Sequence, residues 1–189
     1  FGPAMSILAR DFGVSLDRAG LLLTVLFLGS IVASAGVAIR LHRFDPRLFT
    51  GAGLLLVAAG TAGIALAPDW RTALASVAVT GLGGGLMDAG AHTIVARVSL
   101  DVARGINRLN VCFAAGAVAG PLLSGGVLAI DGGGRPLVYL VIAALAAASA
   151  VLMLTAGPIE PGALQGAGSH PGAAHPGMSR LAWMMGGVL

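Results

Sequence analysis

Long apolar runs follow one another along almost the whole chain, separated by short stretches of Arg, Asp, Gly and Pro. About 20 apolar residues in an α-helix cross a hydrocarbon core of ~30 Å. By that measure the pattern predicts helices near 18–39, 47–67, 72–96, 106–130 and 136–156. It also predicts the end of an earlier helix near 1–9 and the start of a further one near 180. Membrane-spanning strands would instead alternate apolar and polar residues in segments of about ten. A run such as "LVYLVIAALAAASAVLMLTAG" does not alternate. The connections "RFDPR", "APDW" and "DGGGRP" hold the turn formers. The expected fold class is an all-α polytopic membrane protein.

Residues 1–156 therefore read as one transmembrane helical bundle, from the end of a first helix (TM1) to a sixth (TM6). The segment 157–179, "GPIEPGALQGAGSHPGAAHPGMS", is rich in Gly, Pro and Ala and nearly without charge. That composition predicts a flexible central cytoplasmic linker, with 180–189 as the start of a seventh helix (TM7). His170 and His175 stand in a repeated His-Pro-Gly, but a metal site needs several converging ligands with a supporting shell. A spacer is the better reading. Both ends lie inside apolar runs, so the expectation is a fragment of a longer protein, its first helix truncated.

Composition narrows the class further. The chain is 57% hydrophobic and 10% charged, with a mean hydropathy of +0.92, whereas soluble domains carry about 25% charged residues. The formal net charge is +3 and every basic residue is arginine. Charges so few and so scattered make a poor nucleic-acid surface. The single cysteine, Cys112, has no internal disulfide partner. "GLGGGLMDAG" is glycine-rich but lacks the Lys-Ser/Thr of a phosphate-cradling loop. No Ser-His-Asp grouping or metal-ligand spacing is visible either, so neither an enzyme nor a cofactor or metal is expected. Arginine placement sets the orientation. Arg40, Arg43 and Arg47 surround one connection, and Arg97 and Arg104 flank another. The 40–47 and 97–104 loops are expected in the cytoplasm, and 131–135 on the opposite side.

The residues that demand explanation lie in "GLGGGLMDAGAHTIVARV", 81–98. At ~100° per residue, Gly81, Gly84, Gly85, Asp88 and His92 share a helix face about 100° wide. Asp88 sits nine residues before Arg97, roughly 14 Å deeper along the axis. Exposing a carboxylate to lipid there costs about 2.5–3.5 kcal/mol, so Asp88 is expected to face protein or a water-filled cavity. His92, one turn on, is placed to share a proton with it or to bond a ligand. The structural alternative is close packing of small residues with Asp88 as a buried hydrogen-bond partner and His92 as a neutral packing residue. In the next run Asn107, Asn110, Ala114 and Pro121 share a face about 60° wide. Two amides supply donors and acceptors for a ligand rich in hydroxyls or amides, or they bind helix to helix.

The half-chain architecture, the basic loop after the second span and the Gly-Pro of the fifth resemble the major facilitator superfamily (MFS). The segments "GLGGGLMDAGAHTIVARV" and "RGINRLNVCFAAGAVAGPLL" are similar to the fourth and fifth helices of fucose-permease-like sugar transporters. There Asp88 matches an acid, His92 replaces an asparagine, and Asn107 and Asn110 match an Asn and a polar residue. The superfamily's loop motif resembles Gly-x-x-x-Asp-Arg-Phe-Gly-Arg-Arg. Here Arg43, Phe44 and Arg47 remain, while His42 and Asp45 replace its Asp and Gly. The resemblance implies an N-terminal six-helix bundle of two inverted three-helix repeats, with substrate bound between two such halves near the midplane. It implies a multi-pass transporter of the bacterial inner membrane, a monomer when complete. The implied activity is proton-coupled symport of a sugar-type solute. Asp88 and His92 would couple proton and substrate, while Asn107, Asn110, Gly84 and Gly85 would line the cavity. "GAVAGPLLSGG" also resembles the antiporter motif of drug exporters, so a proton-driven exporter of amphipathic compounds stays open. So does a non-transporting membrane sensor or scaffold.

Overall fold

The computed structural model of the chain describes residues 8–40, 45–130 and 135–155. After a helical end at 8–11 come five long helices: α1 (Leu16–Arg40), α2 (Pro46–Leu66), α3 (Trp70–Val98), α4 (Val102–Ile130) and α5 (Arg135–Thr155). All five are long and apolar enough to cross a membrane. They begin and end within a few residues of the expected spans. The early starts of α3 and α4, the latter the largest difference, have a local cause: aspartates cap both helices. Asp69 accepts the Thr72 N–H at 2.9 Å, and Asp101 accepts the Arg104 N–H at 3.0 Å. Both satisfy backbone donors that a helix start leaves open. The linker 157–179 and the helix start at 180–189 lie outside the described residues, as do Arg43 and Phe44.

The Asp69 cap carries a small pH dependence. The Thr72 N–H on its carboxylate holds Asp69 below its ordinary value. A lowered value means the cap is fully present at neutral pH and is lost only as the pH falls below the usual carboxylate range, through the lowered value. Asp69→Ala should speed amide hydrogen exchange in the first turn of α3 at neutral pH, and the difference from wild type should shrink in strong acid. Equal exchange of Thr72 in both proteins at neutral pH would show that the cap contributes nothing.

In a bilayer, apolar side chains gain nothing by leaving lipid for protein, so helices associate through close packing and interhelical hydrogen bonds. The bundle follows that rule. Phe27, Ile31, Val111, Phe113 and Leu122 are exposed, while glycines and threonines fill the seams. α3 is central, packed against α1 on one side and α2 on the other; α5 packs on α2, and α4 touches α3 and α5 lightly. The α1–α3 seam is parallel: Gly29 lies against Ala78 and Leu82, Gly81 against Leu26, and Gly85 against Ser30. Ser34 adds a hydrogen bond from its hydroxyl to the Gly85 carbonyl at 3.3 Å. The α2–α3 seam is antiparallel, with Gly53 against Gly83 and Met87, and Gly60 against Ser76 and Thr80. Gly51 meets Leu154, so α5 runs antiparallel to α2. The start of α2, the 99–101 turn and the end of α5 therefore share one end of the bundle. A cluster of Leu8, Leu22, Ile64, Val77 and Tyr139 closes the packing at the other end, with Phe12 edge-on to Trp70 at a ring separation of 6.0 Å.

Candidate functional site

Asp88 lies past the midpoint of α3, on the flank turned towards α4. Because α4 packs loosely there, a cleft of about 340 Å³ remains between the two helices. Asp88 and His92 enter it from α3, and Asn110 enters from α4. The rest of the lining is apolar or soft: Met87, Ala91, Leu109, Cys112 and Phe113. The carboxylate is thus kept from close protein burial, its side chain 60% exposed and that of His92 40% exposed.

The imidazole is held against its own helix. His92 Nδ1 lies 2.9 Å from the Asp88 backbone carbonyl oxygen and 3.4 Å from Asp88 Oδ1. A carbonyl only accepts, so Nδ1 carries the proton and donates it. Nε2 is then the ring nitrogen that can meet a ligand. An (i, i+4) step on one helix thereby holds the ring beside the Asp88 carboxylate.

The other expected residues separate. Asn107 is exposed but does not line this cleft, although it shares a helical face with Asn110. One turn nearer the start of α4, its neighbours are different. Gly84 has open space where a side chain would be, whereas Gly85 is buried with its α-carbon against the Ser30 backbone. Gly85, like Gly81, therefore belongs to the α1 seam and not to the space beside Asp88. Arg47 is 12% exposed, with one guanidinium nitrogen 3.9 Å from Asp45. Asp45 also caps α2 by accepting the Arg47 N–H at 2.9 Å. The aspartate that departs from the loop motif has thus gained a structural role of its own.

Sequence reading missed Cys112, Phe113 and Met87 as cleft residues. Each lies close in sequence to a polar residue of the same cleft, Asn110 or Asp88, which was the available signal. It also missed a second cavity of about 210 Å³, where Thr61, Thr80, Ser124 and Tyr139 meet among α2, α3, α4 and α5. Thr61 and Thr80 donate their hydroxyls to carbonyls one turn back, at 2.7 Å to Val57 and 2.9 Å to Ser76. Among the described residues, no three His, Cys, Asp or Glu side chains converge as metal ligands.

Five membrane-length helices thus pack through small-residue seams and leave a polar cleft on the central helix. The family model that matches the chain is that of the Major Facilitator Superfamily, over residues 1–185. The chain belongs to the Major Facilitator Superfamily. Comparisons with curated proteins and with solved structures give no match. As a superfamily member, this is an integral multi-pass membrane protein and a transporter of small molecules, not an enzyme.

Proposed function

We propose that this superfamily member carries out proton-coupled symport of a sugar-type small polar solute across the bacterial cell membrane by alternating access. The observation that supports it is the Asp88–His92 pair in the α3–α4 cleft, facing the amide of Asn110. A neutral carboxyl is cheaper to hold in a low-dielectric site than a carboxylate, so loading and unloading Asp88 biases which face of the cavity opens. Asn110 supplies both a donor and an acceptor to a solute hydroxyl. A second half, packed across this cleft, would complete the site. The apolar share of the lining, Met87, Leu109 and Phe113, favours a second reading, a proton-driven exporter of amphipathic compounds.

Proteoliposome transport separates the two. A panel of sugars and a panel of amphipathic dyes are offered with and without a pH gradient. Saturable sugar uptake in the direction of proton flow supports symport. Dye movement against proton flow, with no sugar uptake, replaces symport with export.

Orientation is tested independently. With the 99–101 turn in the cytoplasm, Leu100→Cys on a Cys112→Ser background should resist a membrane-impermeant thiol reagent in intact cells. Pro68→Cys, at the opposite end of the bundle and exposed, should react. The reverse pattern would invert the topology.

A further inference from the structure

At the end of the bundle that holds the 99–101 turn, a cleft of about 270 Å³ is lined by Ser99, Leu100, Asp101, Arg104, Gly105 and Arg108. It lies at the turn that joins the apolar spans Trp70–Val98 and Val102–Gly126, with its two arginines on the first turns of the second. We propose that this cleft binds the phosphate of an anionic phospholipid headgroup.

Charge and direction carry the inference. Arg104 and Arg108 stand one turn apart on α4 and face the same cleft. Like charges at that spacing repel each other. A single carboxylate accompanies them: Asp101, 3.7 Å from Arg104 Nε, and its other oxygen is engaged in capping α4. The cleft therefore keeps a net positive charge. In a helix, side chains lean towards the N-terminus, which for α4 is the turn itself. Both arginines line the cleft on that side, and long basic side chains at a span end reach for the interface. A planar guanidinium presents a fork of donors that suits phosphate oxygens, and the Ser99 hydroxyl adds a further donor. The volume is several times the ~30 Å³ share of one water molecule, enough for a phosphate. The helix start contributes little, because Asp101 already occupies it. The ligand is expected from the bilayer because the cleft opens at the membrane surface, where basic pockets between helices take up anionic headgroups.

The test uses the full chain in nanodiscs of phosphatidylcholine with or without phosphatidylglycerol, followed by mild delipidation and native mass spectrometry. Wild type should retain phosphatidylglycerol in preference to phosphatidylcholine. Arg104→Gln/Arg108→Gln should lose about tenfold or more of that preference, as expected for two lost basic contacts at a membrane surface. Arg104→Lys/Arg108→Lys, which keeps the charge, should retain most of it. Asp101→Asn, which keeps the cap but removes the competing carboxylate, should strengthen retention. Arg71→Gln, at the other end of the bundle, should change nothing. Equal retention by wild type and the double Gln variant overturns the proposal. So does displacement of the lipid by millimolar inorganic phosphate, which would make the ligand a soluble anion.

Discussion

Asp88→Asn should abolish proton-driven accumulation while leaving solute exchange across the membrane largely intact. One coupled proton moving down a gradient of one pH unit supplies about 1.4 kcal/mol, or roughly tenfold accumulation. The variant should equilibrate its substrate, with inside and outside concentrations equal, where wild type approaches that tenfold ratio. Asparagine keeps the size of the side chain and its hydrogen bonds but cannot titrate, so binding survives and coupling does not. Asp88→Ala should impair both. His92→Gln should show a milder defect, because its Nδ1 contact to the Asp88 carbonyl can be kept by an amide while the second ring nitrogen is lost. Wild-type accumulation in the Asn variant would reduce Asp88 to a helix-packing residue and remove the basis of the coupling proposal.

The second large effect concerns three consecutive glycines that a hydropathy profile treats alike. Gly83→Ala and Gly85→Ala should each destabilise the bundle, while Gly84→Ala should leave it unchanged or slightly more stable. A methyl on Gly83 would run into the Gly53 and Val57 backbone, and one on Gly85 into the Ser30 backbone. Neither backbone can rotate out of the way, so a whole helix must shift. Overpacking of this kind costs about 1–3 kcal/mol. At Gly84 no atom lies within 4 Å of the added carbon, and alanine is the better helix former by about 1 kcal/mol. Thermal unfolding in detergent micelles should rank the variants with Gly84→Ala at or above wild type and the other two well below. Three indistinguishable melting temperatures would mean that the α1 and α2 seams are looser than their geometry implies.

Much of this was legible in the chain itself. Uninterrupted apolar runs specify helices long enough to span the bilayer because, without water, the backbone must satisfy its own hydrogen bonds. Asp88 stands out because a carboxylate in such a run carries a large desolvation cost, and His92 is linked to it by the (i, i+4) step alone. The ends of α3 and α4 were legible less well, since Asp69 and Asp101 act as caps only once the chain has turned to meet them.

Which face of α3 meets which neighbour was decided by the tertiary structure. A helical wheel groups Gly81, Gly84, Gly85, Asp88 and His92 within one arc, but it does not locate the axes of adjacent helices. α1 runs parallel to α3 and closes on Gly81 and Gly85, while α4 stands off at Asp88 and His92, so one sequence-defined face divides into a seam and a cleft. The same geometry brings Asn110 to Asp88 and leaves Asn107 outside. The local pattern sets a residue's angle about its own helix; the distance to the next helix depends on small residues far away in the chain, such as Gly29 and Gly53, and only packing brings them into register.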